Sequence, residues 1–134
     1  MKKYRKSASK HSLEYGDDVT FPEFVAYLTT EVLKNPSKYN EHWKPIHELC
    51  APCAVHYDII ARYETLEDDA AFLLRLIGES PKTFSFHPSP TAGKLDKYVS
   101  MLSAKDVNKL YKMYQQDFQL FNYNLKGFAG FHVE

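Results

Sequence analysis

Two short clusters hold the residues of this chain best suited to chemistry. His42-Trp43 joins an imidazole, which titrates near neutrality and can take a proton from a hydroxyl nucleophile, to a flat apolar face on which a sugar ring can stack. Both are candidate substrate contacts, although a core tryptophan beside a surface histidine fits the same letters. Just downstream, His47, Cys50, Cys53 and His56 fall at three-residue intervals. Thiolate and imidazole are the usual zinc ligands, and Cys-x-x-Cys is a zinc-knuckle spacing. Structural zinc sites usually take two ligand pairs from separate segments, so that the metal closes a loop; here all four lie within ten residues. A thioredoxin-like redox pair would open a helix, whereas this motif precedes a strand-like run. A disulfide, between Cys50 and Cys53 or to a cysteine outside the segment, and a pair of buried free thiols both remain open.

These clusters must be held by neighbouring elements, and three helices are marked by their start signals. Thr20 with Glu23 forms a capping box ahead of Phe24, Val25, Leu28 and Val32, predicting a helix to about Leu33 that stops near Asn35-Pro36. Thr65 with Asp68 forms a second, followed by Phe72, Leu73, Leu76 and Ile77, with Gly78 as the stop. Ser103 with Asp106 begins a third, whose Val107, Leu110, Tyr111, Tyr114, Phe118 and Phe121 make one apolar stripe, read as core. Between them, Tyr57 to Tyr63 is rich in β-branched and aromatic residues and reads as a strand feeding directly into a helix. No second strand accompanies it, so its sheet partners are expected elsewhere. Residues 79–102, with three prolines, four serines and Gly93, read as a long internal loop.

Composition narrows the function classes. At 134 residues, 44% hydrophobic and 25% charged, the chain is globular, holds one domain at most, and can bury roughly 68% of its unfolded surface. Formal net charge is zero, which gives no field from which to argue a nucleic-acid or membrane-surface partner, and none is expected. A basic arm, Lys2, Lys3, Arg5, Lys6 and Lys10, precedes the first acid, Glu14; it reads as a solvated terminus or as a contact for an acidic partner. No apolar run approaches the roughly 20 residues of a membrane span, and no secretory leader follows the first lysines.

The motifs, taken in order, resemble a known family. His42-Trp43-x-Pro45, Leu49-Cys50-x-Pro52-Cys53, His56-Tyr57-Asp58-Ile59-Ile60 and Tyr63-Glu64-Thr65-Leu66-x-x-Asp69 resemble the Golgi carbohydrate sulfotransferases, the group of chondroitin, dermatan and HNK-1 enzymes. Phe21-x-Glu23-Phe24-x-x-Tyr27-Leu28 and Tyr114-x-x-Asp117-Phe118-x-x-Phe121-x-Tyr123 resemble it too, so the likeness runs from about residue 4 to 123. It implies an α/β fold: the chain as a single partial domain, the C-terminal, mainly helical part of a P-loop-like three-layer sulfotransferase domain with its strand near 57–63.

The implied activity is transfer of a sulfuryl group from 3′-phosphoadenosine 5′-phosphosulfate to a sugar hydroxyl of a glycosaminoglycan or glycoprotein glycan. The implied place is the luminal side of the Golgi membrane, with no resident metal. In the resembled turn the tyrosine at Tyr63 lies near the donor adenine, and an oxidising lumen favours disulfide-bonded Cys50 and Cys53. Two donor elements of the family, a strand-loop-helix that cradles the 5′-phosphosulfate and an Arg-Asp-Pro segment for the 3′-phosphate, are not found in these residues; nor is a membrane anchor. Lys126-Gly127-x-x-Gly130 is too short a glycine motif to replace them. The segment is therefore expected to be inactive alone, with the anchor in a missing N-terminal part. The alternative is a non-catalytic binding module, with zinc on His47, Cys50, Cys53 and His56.

Overall fold

The computed structural model describes residues 2–5, 7–35, 37, 39–80 and 92–124. These hold six α-helices: α1 (Lys10–Tyr15), α2 (Phe21–Tyr27), α3 (Ile46–Cys50), α4 (Leu66–Leu76), α5 (Leu95–Val99) and α6 (Ala104–Leu120).

The predicted start of α2 forms as a full capping box: the Thr20 hydroxyl accepts from the Glu23 N–H, and the Glu23 carboxylate accepts from the Thr20 N–H. Past Tyr27 the helix widens into a π turn, Leu28–Val32, closed by the Leu33 N–H on the Leu28 carbonyl at 3.0 Å. Thr29 and Thr30 turn their hydroxyls back onto the carbonyls of Val25 and Ala26, which competes with the regular helical ladder at this point. At the end of α4, Gly78 takes φ +80°, and the N–H groups of Gly78 and Glu79 bond the carbonyls of Arg75 and Leu74, a Schellman closure that glycine permits. Ser103 caps α6 by accepting from the Asp106 N–H.

The core lies where α6 crosses α2 and its π turn. Leu28, Val32 and Met113 form its buried centre, ringed by Phe24, Tyr27, Tyr39, Trp43, Leu110 and Tyr114. Burying each of these aliphatic side chains contributes roughly 1.5–3 kcal/mol. The stripe read along α6 thus does pack as core, through Val107, Leu110 and Tyr114 in particular.

Four expectations need correction or limits. Tyr57 to Tyr63 is not a strand: it runs without a ladder into a 3-10 turn at Tyr63–Thr65, and no strand occurs among the described residues. A strand exists only through hydrogen bonds to a neighbour, and here none is offered. Tyr57, Ile59, Ile60 and Tyr63 are consequently exposed. The second capping box also differs. Thr65 makes no cap to the backbone; its hydroxyl donates to Asp69, which also accepts from the Arg62 N–H, so the box spans the 3-10 turn and uses Asp69 in place of Asp68.

Of the stretch read as a loop over 79–102, residues 92–99 are helical, a 3-10 turn followed by α5, and Tyr98 packs edge-to-face on Phe21 with centroids 5.5 Å apart. Residues 81–91, and the glycine motif at Lys126, lie outside the described residues. Two cations of the basic arm, Lys3 and Arg5, are paired from within. Lys3 pairs with Glu31, and Arg5 is buried against Asp18, donating to the Ser12 hydroxyl and carbonyl at 2.6 Å each.

Candidate functional site

The helix that carries His47 and Cys50 starts at a proline. Pro45 has no side-chain oxygen with which to cap α3, so the first N–H groups of that short helix need an acceptor from elsewhere. Asp117, in the last turn of α6, supplies it. Its two carboxylate oxygens accept from the Ile46 N–H at 2.8 Å and the His47 N–H at 2.9 Å. The same carboxylate lies 2.6 Å from His47 Nδ1. Asp117 is only 5% exposed, and these three donors compensate its burial. An ionised carboxylate only accepts, so Nδ1 carries the hydrogen, and in the neutral ring Nε2 keeps its lone pair.

One step towards the chain's N-terminus, Tyr114 fixes the preceding turn by donating from its hydroxyl to the Trp43 carbonyl at 2.7 Å. Burial pushes this phenol up to about 12, with Tyr39 and Asp117 nearby adding to the shift. Residues 43–47 are thus tied to α6 at both ends.

Beside α3, two clefts adjoin across Ile46, Ile60 and Phe121. One, of about 280 Å³, is lined by Arg62, Asn122 and Tyr123 in addition. The other, of about 240 Å³, is more apolar and includes Cys50, Pro52 and Tyr57. Arg62 closes the C-terminal end of α6 by donating to the carbonyls of Phe121 (2.9 Å) and Asn122 (3.3 Å), a favourable place for a cation, and its guanidinium stands 5.9 Å from the Tyr123 ring centre. Its own turn is latched by Asp69, whose carboxyl is held below the usual aspartate range by the Arg62 N–H and the Thr65 hydroxyl.

The predicted site residues are distributed unevenly over this frame. His42 is exposed, and its N–H bonds the Asn40 side chain. Trp43 is half-buried, packed edge-to-face on Phe24 with centroids 5.6 Å apart. Tyr63 is exposed at the head of the turn that precedes α4, beside a small recess formed with Glu64 to Asp68. Cys50 and Cys53 are exposed, unbonded thiols flanking Ala51, which adopts the left-handed conformation at φ +44°. Among the described residues no three His, Cys, Asp or Glu side chains converge as metal ligands, so His47, Cys50, Cys53 and His56 are not brought together. Asp117 and Arg62 were not singled out as site residues from sequence. The available signal for Asp117 was an acid three residues after Tyr114, on the buried stripe of an amphipathic helix.

Residues 1–124 match the family described as "Sulfotransferase family". The chain belongs to the sulfotransferase family. The carbohydrate sulfotransferases are the relatives its motifs indicated. It is 37% identical to carbohydrate sulfotransferase 11 of Rattus norvegicus over 132 residues, covering 96% of this chain and 38% of that protein. It is 38% identical to carbohydrate sulfotransferase 14 of Danio rerio over 130 residues (93% of this chain, 35% of the relative). Over a shorter span of 66 residues, 49% of this chain and 17% of the relative, identity to carbohydrate sulfotransferase 14 of Homo sapiens rises to 53%. The chain thus spans less than two-fifths of the length of these relatives. No solved structure matches it.

Within this sulfotransferase-family chain, the described residues are mostly helical, as the resemblance implied for this part of the domain. No helix among them is long and apolar enough to cross a membrane.

Proposed function

We propose that this chain is the C-terminal part of a carbohydrate sulfotransferase that moves a sulfuryl group from 3′-phosphoadenosine 5′-phosphosulfate to a sugar hydroxyl of a glycosaminoglycan or glycoprotein glycan in the Golgi lumen. The observation that carries the proposal is the match to carbohydrate sulfotransferases along 96% of the chain. His42 and Trp43 belong to the acceptor side, where an imidazole and an aromatic ring suit a sugar. Tyr63 belongs to the donor side, at the edge of the adenine.

The phosphate-binding elements of the donor site have no counterpart in these residues, so donor binding needs segments from outside them, as does the membrane anchor. The same segments would supply the strands of a three-layer α/β domain. The exposed apolar run at Tyr57, Ile59 and Ile60 supports that arrangement, being the kind of surface a sheet neighbour covers.

The test is sulfuryl transfer from radiolabelled donor to a panel of desulfated glycosaminoglycans and glycoprotein oligosaccharides. Protein from the full reading frame is expected to label at least one acceptor, and the 134-residue chain alone none. Failure of the full-frame protein on every acceptor would remove the enzymatic reading. Labelling by the short chain would remove the claim that donor binding needs outside segments.

A further inference from the structure

We infer that His47, oriented by Asp117, is the base that accepts the proton of the acceptor hydroxyl, a role that rests on the sulfotransferase reading above. The observation is a histidine–carboxylate pair built more rigidly than α3 alone requires. Capping α3 needs only the two main-chain bonds from Ile46 and His47; the carboxylate makes a third contact, 2.6 Å from the Nδ1 of the same His47. With the carboxylate fixed by two backbone N–H groups, the ring is held in one tautomer and one orientation. This is the division of labour by which a buried carboxylate prepares an imidazole as a general base.

The other ring nitrogen is the reactive end. Nε2 has no partner among the described residues, and it is not one of the buried polar atoms left without a hydrogen bond. The side chain as a whole keeps 19% exposure, against 7% for Asp117, so the base is open while its orienting group is covered. His47 directly follows Ile46, a residue that lines both clefts. His42 lacks this support: no carboxylate partner is found for its ring among the described residues, and its one recorded bond there comes from the main chain.

In the step, the acceptor O–H proton passes to His47 Nε2 while the hydroxyl oxygen forms its bond to sulfur. The bond from sulfur to the bridging phosphate oxygen of the donor breaks, and its electron pair leaves with that phosphate. Asp117 stays ionised and stabilises the imidazolium that results, which makes it a positioning residue.

Two measurements test this. The first is steady-state kinetics of full-frame protein carrying His47→Asn, whose amide can keep a donor towards Asp117. Expected is a fall in kcat of about 10²–10⁴-fold, with both KM values within about threefold of wild type and an unchanged melting transition. A folded His47→Asn variant within about threefold of wild-type kcat would overturn the inference while leaving the sulfotransferase reading intact. Wild-type protein that labels no acceptor would overturn both. The second measurement needs no turnover: nitrogen-detected NMR of the His47 ring in wild type and Asp117→Asn. Hydrogen on Nδ1 and a bare Nε2 in wild type, with that preference lost in the variant, supports the pair; a hydrogen on Nε2 in the neutral wild-type ring would overturn it.

Discussion

The Tyr114 hydroxyl donates to the main-chain carbonyl of Trp43 at 2.7 Å, bridging 71 positions of sequence. It is one of the few polar ties between α6 and the turn ahead of α3, and it is half-buried. Tyr114→Phe removes the donor and leaves the carbonyl unpaired, at an expected cost of about 0.5–1.5 kcal/mol in a denaturant titration.

The same phenol gives a sign to alkaline stability. Its folded value is raised to about 12 from the ordinary 10.0, chiefly by burial, so the folded state holds the proton more tightly than the unfolded one. Its contribution is therefore complete below pH 10 and is lost as pH rises towards 12. Melting curves between pH 9 and 12 should fall more steeply for wild type than for Tyr114→Phe. Parallel curves would show that the phenol is not the group responsible.

Acid should loosen the N-terminal end. The Asp18 carboxyl is held below its ordinary 3.8 by the Ser12 hydroxyl and by buried Arg5, and Glu23 is lowered first by the Thr20 N–H. Depressed carboxyls contribute stability above their unfolded values and lose it as pH falls through the folded ones. Cooperative melting should thus weaken below about pH 4, and Asp18→Asn should both lower the neutral-pH midpoint and flatten this acid limb. An unchanged midpoint in Asp18→Asn would mean that Arg5 is satisfied without the ion pair.

Ala51, which directly follows Cys50, ends α3 in the left-handed region, a conformation that costs an L-residue roughly 1–2 kcal/mol. Ala51→Gly relieves that cost but adds unfolded-chain entropy. A net gain of about 0.5–1 kcal/mol is expected by chemical denaturation. A loss would indicate that the methyl group is needed by a neighbour.

Cys50 and Cys53 report on compartment. Both are exposed, so nothing shields them from an oxidant. In the proposed luminal protein they are expected to be disulfide-bonded, to each other or to cysteines outside this chain. Alkylation of secreted full-frame protein before reduction, followed by peptide mass spectrometry, should find neither modified. Quantitative alkylation of both would count against the lumen.

What the sequence determined by itself is local. Thr20 with Glu23, Ser103 and Gly78 each act within one helical turn, so the starts of α2 and α6 and the end of α4 could be read from residue type and spacing. The ordered motifs likewise identified the family without any contact being known. The strand expected at Tyr57 to Tyr63 failed for the converse reason: β-rich letters supply only one side of a ladder, and the other side must come from elsewhere. The helical turn at Leu95–Val99 was missed because its own period is too short to register, while one of its residues, Tyr98, finds Phe21 far away in sequence.

Tertiary structure decided the site. Nothing near Asp117 in sequence distinguishes a solvated helical acid from one that is 5% exposed and holds His47 across 70 positions. That difference arises only when α6 packs on α3 and removes water, so that the carboxylate must find its donors in the α3 backbone and in one imidazole.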